Sequence, residues 1–150
     1  MIIAVGTDHA GFSLKKVVIN AVESEGHKVV DVGSYDLSKV DFPDYAEKVG
    51  DLIQRGEAQR GIALCGSGIG VCIALNKMSG VYASVCHDTY SAHQGVEHDG
   101  MNVLCLGGRV IGEELAKDIV SSFLSAEQMN ETKFFNRINK IKAIETKHLE

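Results

Sequence analysis

The chain alternates short apolar runs with longer segments whose apolar residues recur at helical spacing. The runs are Ile2-Ile3-Ala4-Val5, Val29-Val30-Asp31-Val32, Ile62-Ala63-Leu64-Cys65, Val81-Tyr82-Ala83-Ser84-Val85 and Val103-Leu104-Cys105-Leu106. Near-continuous apolarity, rather than strict alternation, is the pattern of strands covered on both faces, as in a parallel sheet. Residues 12–24 set Leu14, Val17, Val18, Ala21 and Val22 on one stripe, and Gly26 stands where that helix would stop. Residues 45–55, 69–78, 89–97 and 112–124 read similarly. Alternating strands and helices predict an α/β fold with about five parallel strands joined by right-handed crossovers. Residues 1–150 are expected to form one domain, since no linker, repeat or low-complexity tract interrupts the pattern.

The last segment, "KFFNRINKIKAIETK", follows the polar stretch "SAEQMNET" and leads to no further strand. Phe134, Ile138, Ile141 and Ile144 make an apolar stripe, while Lys133, Arg137 and Lys140 recur on a neighbouring face. The pattern fits two structures. One is a closing helix with a solvated charged side, the other a helix that reaches a partner subunit and presents cations to an anion.

Composition narrows the function classes. A chain of 150 residues, 45% hydrophobic and with a single proline, can bury a core without staples. Its net charge of −5 argues against generic nucleic-acid binding. The N-terminal "MIIAVGTDHAG" lacks a basic region and turns polar at Thr7, so neither a signal peptide nor a membrane span is expected. A cytoplasmic location follows as the expectation, and with it free thiols. Cys65, Cys72, Cys86 and Cys105 show no C-x-x-C spacing, which weakens zinc and dithiol readings.

In an open parallel sheet, ligands bind at the carboxyl ends of the strands. Thr7-Asp8-His9, the loop after Cys65, His87-Asp88 and Gly107-Gly108-Arg109 all fall there, and Glu97-His98-Asp99 precedes the fifth strand. The stretch "ALCGSGIGVCIALNK" lacks the Lys-Ser/Thr ending of a P-loop and the spacing of a dinucleotide fingerprint. It remains a loop whose unhindered amides, at a helix start, suit an anion or a developing oxyanion. Cys65 at that strand end is either a buried small hydrophobe or a base. The helix dipole favours thiolate, and an ordinary cysteine pKa of about 8.5 needs only modest help. Cys72, Cys86 and Cys105 are expected to pack. Of the histidines, His9 and His98 are the chemical candidates, His87 a lesser one, His93 structural or exposed, and His27 and His148 surface residues. A site from His9, His87 and His98 lacks tight ligand spacing, so no metal is expected.

Taken in order, "GTDHAGFSLK", "VDFPDYA", "CGSGIGVCIALNK", "YSA", "NVLCLGGRVIGEELA" and the Arg137 helix resemble the ribose-5-phosphate isomerase B and galactose-6-phosphate isomerase (RpiB/LacAB) family. The resemblance covers nearly the whole chain, and the Cys65 block is its most specific part. It implies a Rossmann-like three-layer sandwich, with the C-terminal helix reaching a partner subunit. It also implies an aldose–ketose isomerase that uses no metal or other cofactor, a homodimer or dimer of dimers with sites shared between chains. Cys65 would move a proton between C1 and C2 through an enediolate. Ser67 and the amides of Gly66, Gly68, Ile69 and Gly70 would stabilise that intermediate, and His98 would assist ring opening as a general acid. Asp8 and His9 would contact substrate oxygens, with Asp99 beside them. Arg109, Lys133 and Arg137 would bind the phosphate.

Two positions depart from the family pattern. Asp99 stands where an Asn is usual after the histidine, and Lys133 stands for an Arg, losing the bidentate fork. Ribose 5-phosphate is therefore the first expectation, with four- or six-carbon sugar phosphates as alternatives. A non-catalytic sugar-phosphate binder and a Cys65–Cys72 redox sensor are the readings from other classes. The first has no use for a base, and in the second the intervening helix holds the thiols apart.

Overall fold

Strands β1 (Ile2–Thr7), β2 (Lys28–Gly33), β3 (Arg60–Cys65), β4 (Ala83–Val85) and β5 (Val103–Gly107) form one all-parallel sheet in the order β2-β1-β3-β5-β4. The computed structural model describes residues 1–149. Helices α1 (Phe12–Ser24), α2 (Phe42–Gln54), α3 (Ile69–Leu75), α4 (Thr89–Asp99) and α5 (Glu113–Ser125) connect or follow the strands, and α6 (Thr132–His148) ends the chain. The strand count and parallel pairing are those expected from the apolar runs.

Side chains of the central strands divide by alternate position, as a pleated strand requires. Ile3, Val5, Ile62, Leu64, Leu104 and Leu106 enter one core with α1, α4 and α5. Ala4, Ala63, Cys65, Val103 and Cys105 enter the other with α2 and α3. The second face carries the smaller side chains, so its helices lie close. A Cβ at Gly61 would sit 2.6 Å from Val49 Cγ1. Cys65 thus belongs to the small-residue face, under α3.

Of the boundaries that differ from the sequence expectation, three have a visible local cause. Helix α2 begins at Phe42 rather than residue 45, with Pro43 in its first turn, where a missing N–H costs no helix bond. Helix α3 ends at Leu75, short of residue 78. The Asn76 side chain accepts from Ala83 N (2.9 Å) and donates to Ala83 O (2.8 Å), drawing the chain into the turn toward β4. Strand β4 spans only Ala83–Val85, because Tyr82 N is taken by Asn102 Oδ1 (2.8 Å) rather than by a ladder.

Helix α6 packs on α4, and its apolar stripe is divided. Phe134 and Ile138 are buried, whereas Ile141 and Ile144 are 40% and 62% exposed. Among the described residues no helix is long and apolar enough to cross a membrane.

Candidate active site

The sheet order reverses between β1 and β3, one leading on to β2 and the other to β5. Such a switch point opens a crevice beyond the carboxyl ends of its strands. The backbone continues the pairing past the ladder: Asp8 N donates to Leu64 O (3.2 Å), Gly108 N to Cys65 O (2.8 Å) and Arg109 N to Gly66 O (3.0 Å). These bonds hold three strand-end loops around an open cleft of about 470 Å³ lined by Asp8, His9, Cys65, Gly66, Ser67, Gly70 and Arg109. All seven are residues that the sequence points to.

The Cys65 loop is shaped by close approach. Gly68 has φ +79°, and a Cβ there would lie 2.9 Å from the Leu106 carbonyl carbon, so both conformation and space exclude a side chain. In that conformation Gly68 N donates to Cys65 Sγ at 3.1 Å, and Ile69 N to Ser67 Oγ at 3.2 Å. Cys65 is 4% exposed and lines the cleft wall. Helix α3 has only seven residues, so the local field at the sulfur comes from the loop's own amides more than from a long helix dipole.

Around the sulfur, Asp8 and His9 each have one atom committed to the fold and another left free. Asp8 Oδ1 accepts from Ala10 N (2.9 Å) and Gly11 N (3.0 Å), closing the turn into α1 and leaving Oδ2. His9 Nδ1 accepts from Val40 N (3.2 Å), which places the proton of the neutral ring on Nε2. The Arg109 guanidinium lies over the loop, 3.3 Å from where a Gly66 Cβ would be. Phe42, which the motif reading did not single out, forms the opposite wall. Its ring would be 2.7 Å from a Gly70 Cβ, a contact across the fold that no local pattern announces.

His87 is not part of this cleft. Its Nε2 accepts from Gly107 N (2.9 Å), and burial pushes its pKa down, so it serves as a neutral pin between the ends of β4 and β5.

The remaining sequence candidates lie elsewhere in the chain. His98 and Asp99 end α4, just before β5 begins, whereas Cys65 pairs with Gly107 where β5 ends. The length of β5 alone separates them by roughly 13 Å. There they form a second cluster. The His98 ring stacks on Phe134 (centroids 4.1 Å apart, 9° between planes), with Lys133 Nζ 4.9 Å and Arg137 Cζ 5.9 Å from the same Phe134 centroid. Gln94 Nε2 lies 3.0 Å from His98 Nδ1 and 3.3 Å from Asp99 Oδ2, and is a further residue that sequence reasoning missed. Within one chain the candidates therefore fall into two groups: a thiol with its amides, and an imidazole with two cations.

All four cysteines are free thiols. Cys86 and Cys105 are buried as expected, and burial raises both pKa values. Cys72 departs from simple packing. Its pKa is lowered to about 7, chiefly by a hydrogen bond from the Cys105 thiol, with Val85 and Asn76 assisting against the opposing effect of burial.

A family model described as Ribose/Galactose Isomerase matches residues 3–141. Ribose-5-phosphate isomerase B of Escherichia coli is 41% identical over 143 residues, 95% of either chain. D-erythrulose-4-phosphate isomerase of Pectobacterium atrosepticum is 44% identical over 127 residues, 83% of either chain. Among solved structures, Clostridium thermocellum ribose-5-phosphate isomerase B superposes with a TM-score of 0.94 at 40% identity, covering 99% of both chains. Ribose-5-phosphate isomerase B of Mycoplasma genitalium with bound ribulose-5-phosphate gives 0.89 at 35% identity, covering 97% of this chain and 96% of that one.

Proposed function

The chain belongs to the RpiB/LacAB family of sugar-phosphate isomerases, and from that premise we propose that it interconverts ribose 5-phosphate and ribulose 5-phosphate. Cys65 acts as the base. Its thiolate takes the proton from C2 of the open-chain aldose, and the electron pair moves onto the carbonyl oxygen to give an enediolate. The thiol returns the proton to C1, while a proton passes from O2 to O1, and the ketose results. Ser67 and the amides of the Gly66–Gly70 loop stabilise the developing oxyanion, a role in which the Gly68 and Ile69 N–H groups are shared with Cys65 Sγ and Ser67 Oγ. Asp8 Oδ2 and His9 Nε2 hold sugar hydroxyls.

His98, Asp99, Lys133 and Arg137 enter this reading from a second copy of the chain. The His98 of the partner subunit assists opening of the sugar ring. The partner's Lys133 and Arg137 join Arg109 on the phosphate, so that binding energy at one end of the sugar orients the carbons at the other. No cofactor or metal enters the reading. The observation that carries it is the Cys65 loop, with the Gly68 amide on the sulfur and Asp8, His9 and Arg109 around one cleft.

A second reading keeps the chemistry and shortens the sugar to four carbons. It is favoured by Asp99 and Lys133 at the recognition end and by the 44% identity to the D-erythrulose-4-phosphate isomerase. Turnover of four-, five- and six-carbon aldose phosphates, with Cys65→Ala as control, tests both. Ribose 5-phosphate is expected to give the highest kcat/KM, and a tetrose phosphate ahead of it would install the second reading. Cys65→Ala is expected to abolish turnover and keep phosphate-ligand binding; an active variant would mean that the base is another residue.

A further inference from the structure

Gln94 lies one helical turn before His98 on α4 and touches both chemical residues at the end of that helix. A side-chain amide offers a donor at nitrogen and an acceptor at oxygen, and which one faces a neighbour decides that neighbour's protonation. Asp99 makes the decision here. A carboxylate only accepts, so it draws the NH2 group toward itself and repels the amide oxygen. The same NH2 group reaches His98 Nδ1, 3.0 Å away. Nδ1 must then accept, and the neutral ring keeps its proton on Nε2. Glu97 does not compete for that nitrogen, being paired with His93 Nδ1 at 3.1 Å. The stack on Phe134 fixes the ring plane, with Lys133 and Arg137 gathered on the same phenyl ring.

We propose that Gln94, oriented by Asp99, is a positioning residue that holds His98 as its Nε2–H tautomer, so that His98 meets the sugar as a donor. The placement of His98 against a sugar rests on the shared-site reading above. The proposal gives a reason for the departure at position 99. A neutral amide there accepts and donates equally and leaves the Gln94 orientation open, whereas Asp99 closes it.

The test uses the whole protein labelled with 15N-histidine. The His98 resonances are assigned by comparison with a His98→Asn variant. At a pH where the ring is neutral, Nδ1 is expected to be unprotonated and Nε2 protonated. Gln94→Glu replaces the donor by an acceptor, so it should move the proton to Nδ1. It should also lower kcat roughly tenfold or more with little change in KM, since the phosphate clamp is untouched. Gln94→Leu should give mixed tautomers. A wild-type ring protonated on Nδ1, or a Gln94→Glu spectrum identical to wild type, overturns the proposal. Full turnover by His98→Asn would instead bring down the shared-site reading and leave the tautomer assignment standing, so the two failures are separable.

Discussion

Lys15 is a cation with only 5% exposure, held by Asp31 (2.6 Å) and the Ser34 carbonyl (2.6 Å) beneath the Tyr35 ring. It ties the start of α1 to the end of β2. Removing one member of such a pair leaves the other uncompensated. Lys15→Met is expected to lower stability in urea unfolding, by less than the roughly 3 kcal/mol of a fully buried pair because the Asp31 side chain is 32% exposed, and a variant as stable as wild type would show the pair to be solvated. Cys72 carries a second residue-scale prediction. With its pKa at about 7 rather than 9.0, its contribution to stability is present above pH 9.0 and lost as pH falls through about 7. Iodoacetamide labelling of Cys72, read site by site by mass spectrometry, should show a pH midpoint at about 7, moving upward in Cys105→Ala. A midpoint back in the ordinary thiol range would mean the sulfur contact does not act on the thiol. The chemistry-bearing types Cys65, His9 and Arg109 were legible in the sequence because a strand end and a glycine loop are local signals. Phe42, Gln94 and the Lys15–Asp31 pair were not, since each matters only through a contact made by folding.

At the scale of elements, the helical and strand periods placed every strand and helix, and tertiary hydrogen bonds moved the boundaries. Asn76 cut α3 short by bonding Ala83 across a turn, and Asn102, just before β5, trimmed β4. Arg60 does comparable service for α5. Its guanidinium donates to the carbonyls of Phe123 (2.6 Å), Leu124 (3.3 Å) and Ala126 (2.7 Å), capping a helix end from a neighbouring strand. Helix α6 is held in its turn by Glu145, which accepts from Tyr82 Oη (2.9 Å) and Gly80 N (2.9 Å). Burial first, and then the Glu145 carboxylate, push the Tyr82 pKa up to about 12. A raised phenol contributes stability below pH about 10, its ordinary value, and loses it as pH climbs through about 12. Alkaline titration followed by phenolate absorbance should show a Tyr82 transition at about 12, absent from a Tyr82→Phe variant. Glu145→Gln should bring it down and speed amide exchange in the second half of α6. Unchanged titration would detach α6 from this anchor.

For the whole molecule, the parallel sheet and its strand-end cleft follow from the order of apolar runs, because ladder geometry leaves few alternatives. That His98 and Asp99 precede β5 was visible in the order of the chain, whereas the gathering of Lys133 and Arg137 beside them was not. Only the family resemblance placed them in a site between chains. Mixing Cys65→Ala with Arg137→Ala tests that arrangement. Each variant alone should be nearly inactive, and a mixed dimer should recover activity through the one site assembled from two intact halves. No recovery in a confirmed heterodimer would return all the groups to one chain. The roughly 13 Å of β5 between thiol and imidazole has a kinetic corollary. If no chain can fold into a complete site by itself, catalysis is governed by mass action among chains, and specific activity should fall on serial dilution and return when the protein is concentrated again.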